Sequence, residues 1–305
     1  MSRGYAVEMQ APPTADPRVR LQETMPVAER RLRLAGIPTA LLEGGEGAPM
    51  VLLHGPGEFA EKWLRVFPEL VTTHRVIAPD LPGHGASGVP DEALDEALVL
   101  DWLDELIEQT CPSPPVIVGH VLGGAIGARY AITRGDRLGH LVLVDTLGLA
   151  PFRPKAAFAL TMMAFLTRPT EASYTRFMRQ CSYDLDRLRD EMGELWEPFV
   201  AYTLDRARAP SAKAAGRLFR EVGLPQIPPD ALARITVPTT LIWGRQDRAN
   251  RLRIAEAASK RYGWPLHVIE DCADDPPRDA PEEFLRALRG SLDRQAPRGE
   301  ARGDR

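Results

Sequence analysis

The chain has 305 residues, of which 44% are hydrophobic and 26% are charged, and its formal net charge is −4. This composition is typical of soluble globular proteins with one or two domains, and the interspersed charges argue against a nucleic-acid partner. The three cysteines are too few and too far apart for a disulfide framework or a CxxC metal site. We therefore expect no metal site and a cytoplasmic location.

The two ends of the chain carry few signals of structure. Residues 1–28 contain prolines and mixed charges without an apolar run, which predicts a flexible N-terminal arm and no signal peptide. Residues 295–305 are charged and contain glycine, which predicts a disordered tail. No stretch approaches the roughly 18 to 20 apolar residues that a membrane span requires, so we expect no membrane partner.

Between the ends, short apolar runs alternate with longer amphipathic segments, a pattern that predicts a mostly parallel sheet flanked by helices. A leading hairpin is expected over Arg31 to Leu42, turning through Gly44 and Gly45. The further predicted strands are 50–54, 75–79, 116–119, 141–145, 239–243 and 265–270. Helices are predicted at 91–110, 121–134, 251–262 and 281–293.

Residues 150–232 interrupt this alternation with a long helical stretch that is rich in aromatic residues and methionine. The stretch is predicted to be a helical cap inserted into a core formed by residues 29–149 and 233–294. In open α/β sheets ligands bind at the carboxyl ends of the strands, so the residues that follow each strand are the candidate functional residues.

Three loop phrases follow predicted strands in order. They are His54-Gly55-Pro56-Gly57-Glu58, the segment from Asp80 to Ser87, and Gly119-His120-Val121-Leu122-Gly123-Gly124, the last of which opens a helix. Together they resemble the α/β-hydrolase superfamily. The resemblance implies an eight-stranded, mostly parallel sheet, and the cap resembles those of meta-cleavage-product hydrolases and epoxide hydrolases. It also implies a strand–turn–helix elbow that presents a nucleophile.

The resemblance places Val121 at the nucleophile position, where its side chain has no heteroatom that could attack a carbonyl. Counting back from the final helix places Asp274 where the family carries its histidine. The phrase from Trp243 to Asp247 resembles the segment after the family's seventh strand, which places Asp247 at the position of the acid. Pro56 stands at one oxyanion-hole donor position and lacks an N–H, whereas Leu122 retains the second donor. The sequence therefore predicts a divergent, non-hydrolytic member that lacks the serine and histidine of the triad.

Asp247 and Asp274 are predicted to face each other closely enough to share a proton, with one of the two pKa values raised. Asp145, after the sixth strand, is a further candidate acid. The predicted substrate-binding residues lie on two of the loop phrases, the one that begins at His54 and the one that begins at Gly119, and at Trp63. They are His54, Pro56, Gly57, Glu58, Trp63, His120, Val121 and Leu122.

These features favour a cofactor-independent tailoring enzyme for a bulky, partly hydrophobic, polyketide-like molecule. Its acid/base chemistry would be cyclisation, carbon–carbon bond formation, epoxide opening or elimination. One alternative is a catalytically silent ligand-binding protein, and a second is an atypical hydrolase that activates water directly. The expected partner is a small-molecule substrate, and a homodimer is compatible with the sequence.

Overall fold

The computed structural model describes residues 16–90 and 94–293, and its strands form one eight-stranded sheet in the order β1-β2-β4-β3-β5-β6-β7-β8. The strands are β1 Ala28–Leu34, β2 Ile37–Gly44, β3 Ala48–Leu53, β4 His74–Pro79, β5 Val116–His120, β6 His140–Val144, β7 Thr239–Gly244 and β8 Leu266–Ile269. The β1–β2 and β2–β4 pairs are antiparallel and the other pairs are parallel. The predicted α/β-hydrolase fold with a mostly parallel sheet is confirmed.

Helices cover both faces of this sheet. Their bounds are α1 Pro17–Gln22, α2 Phe67–Leu70, α3 Glu96–Thr110, α4 Leu122–Arg134, α5 Ala156–Thr167, α6 Glu171–Cys181, α7 Leu185–Met192, α8 Trp196–Arg208, α9 Ala212–Leu218, α10 Pro229–Leu232, α11 Arg253–Tyr262, α12 Pro276–Asp279 and α13 Pro281–Asp293. One apolar core joins the sheet to α3, α4 and α11, and a second joins its other face to α2 and α13. Strands β6 and β7 are buried along their whole lengths, as expected when helices cover both faces.

The helices α5–α10 lie between β6 and β7 in sequence, where the cap is predicted. Their aromatic and methionine side chains form an apolar cluster of their own, to which Leu21 of α1 and Phe59 also belong. This cluster accounts for most of the aromatic and methionine content of the insertion. None of the helices in the described ranges is long and apolar enough to cross a membrane.

The predicted flexible arm is wrong for residues 16–28, because α1 is anchored to the rest of the protein. Leu21 is fully buried, and the Arg18 guanidinium lies 2.8 Å from the Glu61 carboxylate and 3.3 Å from that of Asp80. These ion pairs join segments that are far apart in the sequence, so the local composition could not predict them. Residues 1–15 and the predicted tail 295–305 lie outside the described residues.

The first hairpin turns earlier than predicted, at Ala35 and Gly36, whose φ angles are 44° and 76°. Gly44 instead ends β2, and a Cβ atom there would lie 2.3 Å from the Pro26 carbonyl oxygen. Gly45 has a similar contact, since a Cβ atom would lie 2.3 Å from the His74 carbonyl oxygen. Both glycines are therefore required by close backbone packing and do not form the hairpin turn.

Candidate functional site

The tight turn between β5 and α4 carries Val121 at its tip. Val121 has φ 47° and ψ −98°, a strained conformation for a β-branched residue. The turn packs closely, because a Cβ atom on Gly123 would lie 2.2 Å from the Leu53 carbonyl oxygen and one on Gly124 would lie 2.0 Å from Thr146 Oγ1. The Val121 side chain contacts Ala125 and other apolar residues. The tip of this elbow is thus apolar and has no side-chain nucleophile.

Two carboxyl groups meet beyond the ends of β6 and β7. Asp145 Oδ1 accepts the Gly244 N–H at 3.1 Å, and Asp247 Oδ1 accepts the N–H groups of Ala249 and Asn250 at 2.6 and 2.8 Å. The second oxygen of each carboxyl, Asp145 Oδ2 and Asp247 Oδ2, is buried without a hydrogen-bond partner among the described residues. The two acids interact through their charges, and we call them the carboxyl dyad.

Burial controls the charge of this dyad. Burial and the neighbouring Asp247 raise the pKa of Asp145 well above its usual range. Burial also raises the pKa of Asp247 to about 7, although the hydrogen bond from the Asn250 N–H opposes the shift. Two carboxylates this close cannot both ionise readily. At neutral pH the dyad therefore carries at most about one negative charge, and that charge resides on Asp247.

Asp274 lies on the loop after β8 and is attached to the elbow through its backbone. Its carbonyl oxygen accepts the His120 Nε2–H at 2.7 Å, and its N–H donates to the Cys181 carbonyl at 3.2 Å. Its side-chain Oδ1 has no hydrogen-bond partner among the described residues. Burial, followed by the charges of Asp247 and Asp275, raises the pKa of Asp274 well above its usual range.

The predicted proton sharing between Asp247 and Asp274 therefore requires a correction. The charge of Asp247 acts on both Asp145 and Asp274, so the close partner of Asp247 that the sequence analysis overlooked is Asp145. The physical reason is the turn after β6, where Asp145 has φ 42° and its carboxyl points towards β7. All three predicted acids are thus brought into one electrostatically coupled group, with a different pairing.

A buried ionic network, which the sequence reasoning missed, lies beside this group. Lys62 is fully buried, and its Nζ lies 2.6 Å from His120 Nδ1, 3.3 Å from the Glu58 carboxylate and 3.1 Å from the Asp275 carboxylate. Arg278 completes the network through an ion pair of 3.0 Å with Asp275. The only sequence signal was the four-residue spacing of Glu58 and Lys62.

Opposing effects set the charge of Glu58. Burial alone would raise its pKa, but the adjacent Lys62 holds the pKa of Glu58 well below its usual range. The Glu58 carboxylate also accepts the Gly55 N–H at 2.7 Å. Glu58 is therefore an ionised group of this network and a weak proton acceptor.

Two of the predicted substrate-binding residues are structural. His54 Nε2 accepts the Leu81 N–H at 3.0 Å, and burial lowers the pKa of His54 to about 3, so its ring is neutral. Trp63 is fully buried in the core on the α13 side of the sheet. Neither side chain is exposed to a ligand, so the predicted binding role does not apply to them.

The remaining predicted binding residues lie around the elbow. Gly57 is exposed with φ 73°, and Pro56 precedes it on the same loop. Leu122 is the first residue of α4, where backbone N–H groups have no acceptor within the helix. An N–H at this position can stabilise negative charge on a ligand oxygen.

A cleft of about 960 Å³ lies elsewhere, along β8 and the start of α13. Asp279 lines this cleft, but none of Asp145, Asp247 and Asp274 does. Among the residues that the structure describes, no three or more His, Cys, Asp or Glu side chains are arranged to hold a metal ion.

Several known proteins with related sequences and folds are named as hydrolases. The chain is 26% identical over 276 residues to the 2-hydroxy-6-oxo-6-(2'-aminophenyl)hexa-2,4-dienoic acid hydrolase of Metapseudomonas resinovorans, covering 88% of this chain and 92% of that protein. It is 32% identical over 187 residues to the 2-hydroxymuconate semialdehyde hydrolase of Pseudomonas sp. strain CF600, covering 57% and 61%. The structure of 2-hydroxy-6-oxo-6-phenylhexa-2,4-dienoate hydrolase from Rhodococcus sp. strain RHA1 superposes with a TM-score of 0.76 at 23% identity, covering 88% and 99%.

These similarities overturn part of the sequence-based interpretation. The prediction of a non-hydrolytic tailoring enzyme of the cyclase or lyase type is wrong, because the related proteins are named as hydrolases. Nothing in the comparisons favours a polyketide-like substrate. The expectation of an enzyme is supported, and the related enzymes are hydrolases and not lyases or cyclases.

A family model covers most of the folded region. The model describes the alpha/beta hydrolase family and matches residues 50–287, from within β3 into α13. This range includes the elbow at Val121 and all three acids. The chain therefore belongs to the alpha/beta hydrolase family.

Proposed function

We propose that the protein is a hydrolase that cleaves a bond next to a substrate carbonyl by direct attack of water, with Asp274 as the general base. One observation carries this proposal. Asp145 and Asp247 both accept backbone N–H groups, whereas Asp274 Oδ1 has no hydrogen-bond partner among the described residues, and Asp274 is 8% exposed against 0% and 3% for the other two acids. Val121 offers no nucleophile, so the attacking oxygen must come from water.

The substrate class follows from the related enzymes. Two of them are named for 2-hydroxy-6-oxo-hexa-2,4-dienoic acids that carry an aryl group, and another for 2-hydroxymuconate semialdehyde. These molecules share a carbonyl group conjugated to a dienol. A conjugated oxo acid, cleaved at the carbon–carbon bond beside its oxo group, is therefore the proposed substrate.

The residues around the elbow support a simple sequence of proton transfers. Asp274 in its carboxylate form takes a proton from water, and the water oxygen bonds to the carbonyl carbon. The resulting oxyanion lies at the Leu122 N–H, at the N-terminus of α4. When the bond to the leaving carbon breaks, that carbon takes the proton from Asp274. The products are a carboxylic acid and the protonated leaving fragment.

The raised pKa of Asp274 suits this role. A carboxylate with a raised pKa is a stronger base, and general bases work best when their pKa lies near the working pH. Burial and the charge on Asp247 supply the shift. In this mechanism the Asp145–Asp247 dyad is an electrostatic support for Asp274 and takes no proton from substrate.

A single-turnover experiment in ¹⁸O-labelled water tests the proposal. Excess enzyme is mixed with 2-hydroxy-6-oxo-6-phenylhexa-2,4-dienoate, and the benzoic acid product is analysed by mass spectrometry. Direct attack by water places ¹⁸O in the acid on the first turnover. Attack by the Asp274 carboxylate itself would leave the first product unlabelled and place ¹⁸O in the protein. That result, or the absence of hydrolysis across related oxo acids and esters, would refute the proposal.

A further inference from the structure

Helix α5 has an apolar surface on both sides. Its inner side packs into the cap through Phe158 and Phe165, which are 4% and 8% exposed. Its outer side carries Leu160, Met163 and Leu166, which are 72%, 55% and 62% exposed. A helix that is apolar all round is normally buried on all sides. The outer side of α5 therefore has the composition of a covered surface.

The exposed residues form one continuous arc. At 100° per residue, Leu166, Met163, Leu160 and the exposed alanines 156, 157 and 164 occupy about half of the helix circumference, and only Thr167 interrupts them. Scattered surface apolar residues need no explanation, but a contiguous exposed patch marks an interaction surface. We call this arc the α5 outer face.

The charged residues within the segment that carries α5 are cations. Segment 151–170 contains Arg153, Lys155 and Arg168 and has no aspartate or glutamate, and Glu171 follows at the start of α6. Arg208 joins the C-terminal end of α5, where its guanidinium donates to the Pro169 carbonyl at 2.8 and 3.0 Å. An apolar helix face with cations at both ends complements an anionic lipid surface, with the apolar side chains entering the headgroup boundary.

A second copy of the chain fits this face less well. Helix α5 has 12 residues and is about 18 Å long, so half of its surface offers only about 300 Å², whereas a stable interface needs about 800 Å² from each partner. An antiparallel pair of α5 helices would also bring Arg153 and Lys155 towards Arg168 of the other copy. Like charges at both ends would oppose such pairing.

From the exposure of the α5 outer face and its flanking cations, we propose that the protein docks reversibly on anionic lipid membranes through α5. The docking is peripheral, because the helix lies on the protein surface. This proposal differs from the sequence-based expectation of no membrane partner. That expectation rested on the absence of a membrane-spanning stretch and of clustered basic residues, and the exposure of α5 was not visible in the sequence. The proposal does not depend on the chemistry at Asp274.

Sedimentation of the full chain with lipid vesicles tests this docking. We expect several-fold more bound protein on vesicles of 30% phosphatidylglycerol and 70% phosphatidylcholine than on pure phosphatidylcholine, with release at 0.5 M salt. The double variant L160E/M163E is expected to bind at least fivefold less. Val19→Glu, at a residue of α1 that is 43% exposed, is the matched control and is expected to bind as the wild type does.

Three results would overturn the proposal. They are the absence of binding to the anionic vesicles, equal binding by wild type and L160E/M163E, and a wild-type dimer in sedimentation velocity that L160E/M163E dissociates. The last result would assign the α5 outer face to a second copy of the chain. Because the wild-type comparison of the two lipid compositions needs no variant, the test stands even if L160E/M163E folds poorly.

Discussion

Lys62 Nζ donates a hydrogen bond of 2.6 Å to His120 Nδ1, and both side chains are buried. Because Nδ1 is the acceptor, the ring hydrogen lies on Nε2, which donates to the Asp274 carbonyl oxygen at 2.7 Å. One lysine thereby fixes the imidazole tautomer, and the imidazole fixes the loop that carries the proposed base. Lys62 is a positioning residue in this arrangement.

Lys62→Met is expected to destabilise the protein by about 3–5 kcal/mol, because Glu58 and Asp275 would lose the cation they share. Urea unfolding measures the change. Lys213→Met, at an exposed lysine of α9, is the matched control and is expected to change stability by less than about 0.5 kcal/mol. Equal stabilities for the two variants would contradict the buried-network assignment.

Asp274→Asn is expected to lower the hydrolysis rate by about 100- to 10,000-fold, since an amide cannot accept a proton from water. Folding is expected to persist, because the backbone bonds to His120 and Cys181 remain. The control is Asp271→Asn, at an exposed position of the same loop. Steady-state kinetics measure the hydrolysis rates. A rate for Asp274→Asn within tenfold of wild type would show that Asp274 is not the general base.

The pH–rate profile is expected to rise with pH, because Asp274 must lose its proton to act as a base. Because the pKa of Asp145 is raised well above its usual range, Asp145→Asn replaces one neutral group with another and leaves the charge on Asp247 in place, so its profile is expected to match that of wild type. The double variant D145N/D247N removes that charge, which helps to raise the pKa of Asp274. Its profile is therefore expected to move to lower pH, and an unmoved profile would show that the dyad has no influence on Asp274.

Stability is expected to fall as pH rises. The pKa of Asp247 is raised from 3.8 to about 7 in the folded protein, so the folded state holds a proton that the unfolded state releases. The corresponding stabilisation is complete below about pH 4 and is lost as pH rises through about 7, a contribution of about 4 kcal/mol. Urea unfolding at pH 5 and pH 8.5 is expected to show a smaller decline for D145N/D247N than for wild type. An equal decline in both proteins would show that groups other than Asp145 and Asp247 cause the pH dependence of stability.

The wild-type protein is expected to resist labelling by a fluorophosphonate probe for activated serines, since Val121 has no hydroxyl group. The double variant V121S/D274H places a hydroxyl at the elbow and an imidazole on the adjacent loop, and it is expected to be labelled. Val121→Ser alone lacks the imidazole and is expected to react at least tenfold more slowly. In-gel fluorescence measures the labelling, and a labelled wild type would reveal a nucleophile other than water.

Local sequence patterns determined much of this protein. Apolar runs and helical periodicity predicted the strands after the first hairpin to within one or two residues, and α13 at its observed bounds. The glycines around Val121 located the elbow, because only glycine fits where β5 and α4 approach so closely. The strand ends likewise located Asp145, Asp247 and Asp274.

Only the tertiary structure decided how these acids pair and what surrounds them. Asp145 and Asp247 become neighbours because of the backbone turn at Asp145 and the N–H groups that hold both carboxyls. The Lys62 network and the uncovered side of α5 were equally invisible in the sequence. A local pattern records which residues alternate or recur, but pKa values and exposure depend on burial and on distances between segments remote along the chain.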